Sequence, residues 1–138
     1  MSHTDFLTNF ETALLKLLTA NTVLASYTWE VWDSDKTVKR PRGVIELEAT
    51  RDLEESPIFK VMVTITLEGK PKKQKMSSVA YELETVMSDN ALCANLQALT
   101  SLVWYFGHMA ENTDIKRRIE GDIRKVIGTC TIFAGPRV

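Results

Sequence analysis

Glu46 and Glu48 stand two residues apart in the run Gly43-Val-Ile-Glu-Leu-Glu-Ala-Thr50, with Asp52 and Glu54 close behind. On a strand that spacing puts both carboxylates on one face, as in the acidic strand with which a metal-dependent nuclease holds divalent cations. The lysine that such nucleases carry beside the acidic pair is replaced here by Ala49 and Thr50. Any strand with a solvated face produces the same spacing, so surface or interface carboxylates are the expectation. The two histidines, His3 and His108, offer little more, since His3 lies at the terminus and His108 has only Glu111 close by in sequence. Cys93 and Cys130 lack the neighbouring ligand pair of a zinc site. The chain contains neither a phosphate-binding Gly-rich loop nor a Gly-x-Ser-x-Gly elbow. The sequence therefore assigns no catalytic residue, no metal ligand and no cofactor.

Charge is the other chemistry on offer. Basic residues gather in three places: Lys36, Lys39, Arg40 and Arg42; Lys70, Lys72, Lys73 and Lys75; and Lys116, Arg117, Arg118, Arg124 and Lys125. Trp104, Tyr105 and Phe106 precede the third group, and cations beside aromatics can form a surface for single-stranded nucleic acid. Those aromatics fall in a segment apolar at successive positions, which core packing explains better. The second group opposes the dipole of the helix that follows it, as a solvated face or as a docking patch for an acidic surface. Set against the acidic region 46–55, with Glu46, Glu48, Glu54 and Glu55, the three basic regions 36–42, 70–75 and 116–125 read as complementary patches for subunit contact. The candidate interface is these four glutamates with Lys36, Lys39, Arg40, Arg42, Lys70, Lys72, Lys73 and Lys75.

The whole chain sets bounds on these readings. Its 138 residues are enough for one domain with one core, so residues 1–138 are read as a single unit. A net charge of −1 supplies no global attraction to nucleic acid or to an acidic membrane. Two cysteines in apolar stretches suit a reducing cytoplasm better than a disulfide framework. No basic region followed by an apolar segment opens the chain, and no 18 apolar residues run together, so neither a signal peptide nor a membrane span is expected.

Hydrophobic spacing gives the elements that must hold these charges. Phe6, Phe10, Leu14, Leu17 and Leu18 predict a helix over 5–20, with Thr4 or Ser2 as cap and Asn21 as terminator. Tyr27, Trp29 and Val31 predict a first strand, and the polar stretch from Asp33 to Gly43 a loop, functional or simply mobile. A second strand over 44–50 turns Ile45, Leu47 and Ala49 inward. Phe59, Val61, Val63, Ile65 and Leu67 alternate through a third strand with one buried face, central in the sheet. Met76, Val79, Ala80, Leu83, Val86 and Met87 mark a second helix, and the segment through Leu99 adds one or two helical turns. A strand from Leu102 to Met109, a turn at 111–114, a strand from Ile115, a bulge or bend at Gly121 and Asp122, and a strand over 123–134 close the chain. The expected fold is α+β: a mainly antiparallel sheet of four to six strands packed against two helices, in the order α-β-β-β-α-β-β.

Taken together, the helix at Phe10-Glu-Thr-Ala-Leu-Leu15, the strands Gly43–Thr50 and Phe59–Leu67, the helix Ser77–Met87 and the strand Arg124–Phe133 resemble the tail-terminator, or tail-completion, proteins of long-tailed bacteriophages. The likeness is one of element pattern over the full chain, and the apolar segment 91–106 departs from it. It implies a non-enzymatic virion protein, made in the host cytoplasm, whose copies form a ring, commonly a hexamer, at the head-proximal end of the tail. Its partners would be other copies of itself, the tail tube protein and the head connector or neck proteins, with DNA passing through the lumen without sequence-specific binding and no membrane. Another neck, head-closure or minor tail subunit would share these features. A small metal-dependent nuclease or nucleic-acid-binding module is the alternative outside this class.

Overall fold

The computed structural model of the protein describes residues 3–31, 41–51, 58–69, 75–88, 91–99 and 104–136. Its helices are α1 (His3–Thr19), α2 (Thr22–Ala25), α3 (Met76–Val86) and α4 (Leu92–Leu99), and its strands are β1 (Thr28–Val31), β2 (Arg42–Arg51), β3 (Phe59–Gly69), β4 (Trp104–Glu120) and β5 (Ile123–Pro136). The strands form one mixed sheet in the order β1-β2-β3-β5-β4. The α+β class, the mainly antiparallel pairing and the central place of β3 agree with the sequence reading.

β3 alternates as its sequence requires. Phe59, Val61, Val63, Ile65 and Leu67 are all at most 4% exposed, while Lys60 and Met62 are exposed. Burying each of these five side chains contributes at most about 1.5–3 kcal/mol. They meet Ile45 of β2 and Val126, Cys130, Ile132 and Ala134 of β5 in the same core. Leu47 and Ala49 pack against it half-buried, on the inward face expected for them. Phe6, Phe10, Leu14 and Leu18 on α1, Leu24 on α2, Val79, Ala80 and Leu83 on α3, and Leu92, Cys93 and Leu96 on α4 complete the cluster. The helices thus line one face of the sheet. Phe6 joins the two layers directly, its ring stacked on Phe59 at 5.7 Å and edge-on to Phe10 at 6.0 Å. α3 settles closely on β5 because Gly128 has no side chain: a Cβ there would lie 2.7 Å from the Met87 sulfur and 3.0 Å from Leu83.

Several local expectations are corrected. β1 runs parallel to β2, Thr28 opposite Arg42 and Val31 opposite Ile45; direction of pairing leaves no trace in the alternation of a single strand. Arg42 and Gly43, expected in the loop, belong to β2. Asn21 does not terminate α1 but caps α2, its Oδ1 accepting from the amides of Val23 and Leu24 at 3.0 and 3.2 Å. Thr4 lies inside α1 instead of capping it, and Ser2 lies outside the described residues. The expected turn at 111–114 is strand: β4 runs through it, with its register against β5 shifted between Phe106 and Met109, Met109 and Glu111, and Glu111 and Asp114. The polar run is carried there partly because the Thr113 hydroxyl donates to the Met87 carbonyl. Gly121 and Asp122 form a tight two-residue hairpin turn, Glu120 opposite Ile123. Gly121 has φ +61 and Asp122 is not in the left-handed region, the pattern of a turn with Gly at its first central position.

The two faces of β3 yield a direct test. Val63 is fully buried and Thr64 half-buried on the opposite face beside Glu46. Val63→Asp is expected to cost on the order of 4 kcal/mol by burying an unpaired charge and to abolish soluble expression. Thr64→Asp is expected to cost about 1 kcal/mol, as a like charge opposite Glu46. Equal melting temperatures for the two variants would show this register to be wrong.

Candidate functional site

The face of the sheet turned away from the helices carries the chemistry. Register alone assembles it: Arg42 lies opposite Glu68, Glu68 opposite Lys125, and Lys125 opposite Arg118, so residues far apart in sequence share one row across four strands. Glu30 joins from β1, where it lies opposite Val44. The Arg42 guanidinium donates to one Glu30 oxygen through Nε at 3.0 Å and Nη2 at 2.9 Å. Lys125 Nζ lies 2.8 Å from Glu120 and 3.5 Å from Glu68. Charge alternates from Arg42 through Glu68 to Lys125 and ends in a second cation, Arg118, and a cleft of about 490 Å³ opens over the row, lined in part by Arg42, Glu46, Glu68, Arg118 and Lys125.

Burial decides which of these pairs matter. The Glu30 side chain is 4% exposed and that of Arg42 23%, so this bridge sits where water screens it little and a lost partner is expensive. Lys116 and Asp114, 3.8 Å apart, are both more than half exposed and contribute almost nothing. The hydrogen bond from Lys125, reinforced by its charge and that of Arg118, holds the Glu120 carboxyl below its usual range. The same bond raises the Lys125 ammonium.

Glu46 and Glu48 lie on this face in β2, opposite Thr64 and Met62, and neither is in an ion pair among the described residues. With Leu47, Met62 and Thr64 they line a second cleft of about 280 Å³. Met62, at 44% exposure, stands as an apolar patch beside the two carboxylates. Of the expected basic residues, Arg42 is bound to Glu30 and Lys75 is exposed ahead of α3, where it makes no side-chain cap. Lys36, Lys39, Arg40, Glu54, Glu55, Lys70, Lys72 and Lys73 lie outside the described residues, as does Asp52. Glu30, Glu68 and Glu120 were not singled out by sequence reasoning. Each is a polar residue at an outward strand position, and only the register of neighbouring strands distinguishes it from any solvated carboxylate.

Among the described residues no three His, Cys, Asp or Glu side chains converge, and no helix is long and apolar enough to cross a membrane. Cys93 and Cys130 are buried and not joined in a disulfide. What this surface presents is charge, with acids and bases held in the register of the sheet. The chain matches no protein-family model and no curated protein sequence.

Arg42→Met should destabilise the protein by about 3 kcal/mol, because it leaves the buried Glu30 carboxylate without its partner. Glu30→Gln should cost less, since Arg42 is exposed enough to turn to water; denaturant unfolding that ranks the two the other way would contradict this. For Glu120 the sign runs from its lowered carboxyl. Its favourable contribution is present above the ordinary carboxylate range and is lost as pH falls through the lowered value. Lys125→Met should return Glu120 to the ordinary range in a carboxyl-detected NMR titration, and an unchanged titration would refute the pairing.

Proposed function

We propose that this chain is a structural subunit of a long-tailed bacteriophage that closes into a ring on the head-proximal end of the tail tube and joins it to the head connector. The observation that carries the reading is the open sheet face: a rigid five-stranded platform, backed by helices on one side, with both signs of charge in fixed register on the other. A ring needs two different complementary surfaces on each copy, since head-to-tail contacts close only when one patch meets another. The element order along the chain fits the tail-terminator pattern, and the two acids Glu46 and Glu48 supply one surface. The tail tube and connector proteins would meet the two ends of the ring, and DNA would pass through its lumen without being read in sequence. No substrate or cofactor enters this reading.

Light scattering of the purified protein, with negative-stain imaging, tests the reading. The expected outcome is a discrete multiple of the 15.6 kDa chain, visible as a ring alone or when tail tubes are added. A particle reconstruction with single copies, or with the protein away from the tube's head-proximal end, would defeat it. Cleavage of DNA in magnesium or manganese that is lost in Glu46→Gln would replace it with an enzymatic reading.

A further inference from the structure

The distal end of the β4–β5 hairpin runs past the cover of the helices. Arg117, Arg118 and Ile119 are exposed there, although Arg117 and Ile119 lie at positions that alternate with the outward Lys116 and Arg118. Ile119 is 70% exposed, the most exposed large apolar side chain among the described residues. It lies opposite Arg124 and shares its strand face with Arg117, so an apolar knob is flanked by two arginines. The converse arrangement stands on β2 and β3, where Met62, 44% exposed, is rimmed by Glu46 and Glu48 in the smaller cleft.

The two patches cannot meet within one molecule. Ile119 lies opposite Arg124 and Met62 opposite Thr131, so they are separated along β5 by about 24 Å at ~3.4 Å per residue. We propose that the hairpin end of one copy docks on the Glu46–Met62–Glu48 patch of the next, with Ile119 against Met62 and Arg117 and Arg124, which share the face of Ile119, towards the two glutamates. The occupant is a second copy of this chain, and charge complementarity selects it: the overall charge of −1 gives no long-range attraction to a polyanion, whereas each copy carries an acidic and a basic rim. Both patches have an apolar centre and a charged rim, the ordinary anatomy of a protein contact. The contact is heterologous, because knob and seat are different surfaces, and repeats from copy to copy. This inference rests on the ring reading and names the residues that make its subunit contact.

Two exposed substitutions and their combination test it in the full chain. Ile119→Asp sets a carboxylate against the glutamate rim, and Met62→Lys sets an ammonium against the arginine rim. Each alone should reduce the sedimenting species from the wild-type oligomer to the monomer, with circular dichroism and melting temperature near wild type. Placed together in one chain, they should restore the oligomer, since the new charges would face each other across every contact. Oligomers that survive both single variants, or a double variant that stays monomeric, would overturn this contact and leave the ring reading standing. A wild-type chain monomeric at its highest attainable concentration and on tail tubes would overturn both. Retardation of duplex DNA that Ile119→Asp with Arg117→Glu abolishes, without any change in oligomer mass, would assign the hairpin end to a phosphate backbone instead.

Discussion

The period-two burial of β3 is the constraint on which the other elements depend. Five apolar side chains on one face of the central strand fix which side receives the helices. A slip by one residue would drive Lys60, Thr64 and Thr66 into the core. Once that face is chosen, β2 and β5 must pair so that Ile45, Cys130 and Ile132 join it. The outward rows of charge then follow without further choice. Arg42, Glu68, Lys125 and Arg118 are neighbours because Leu67 and Val126, one position away on β3 and β5, are buried together.

β1 shows how a short edge strand is held under that constraint. Four residues in parallel pairing supply few ladder bonds, and parallel pairs are slightly weaker than antiparallel ones. Two side-chain devices supplement them, one on each face. On the inner side Trp29 packs against the core and donates its indole N–H to the Leu24 carbonyl at 2.9 Å. On the outer side Glu30 receives the Arg42 guanidinium. The bridge costs desolvation, and it adds a side-chain link between β1 and β2 to their backbone ladder. Tyr27, just before the strand, is buried deeply enough that its phenol is pushed up to about 12, so it enters as part of the apolar layer.

Much of this was legible from spacing. α1, β3 and α3 each carry five or more apolar residues at one period, and each turns them to the core, Leu17, Met76 and Val86 only partly buried and the others fully. What spacing could not show was relation. The parallel β1–β2 pair and the row of charges are properties of two strands at once, and no single strand encodes its neighbour. The continuous β4 was hidden for a different reason. Glu111-Asn-Thr-Asp114 has the composition of a turn, yet flanking segments that pair with β5 on both sides pull it into an irregular ladder with shifted register. The hairpin turn at Gly121 and Asp122 was visible as punctuation, and its sharpness follows from the pairing of Glu120 with Ile123. For the site, Glu46 and Glu48 could be placed on one face from their spacing, whereas Glu30 and Glu68 acquire their meaning only from what faces them.

Charge on the open face divides into two kinds. Part of it is self-neutralised: Glu30 with Arg42, and Glu68 and Glu120 with Lys125. Such pairs cannot attract a partner strongly, because their fields cancel within a few ångströms. Elsewhere the balance fails: on the open face Glu46 and Glu48 stand beside exposed Met62, and on the other face of the hairpin end Arg117 and Arg124 flank exposed Ile119. An acidic and a basic patch at different places on one chain disfavour contact of either patch with its own kind and favour contact of one with the other on a second copy. In the proposed contact the internal salt bridges would assist this selection, because charge already neutralised within one copy competes little with the two patches for a partner.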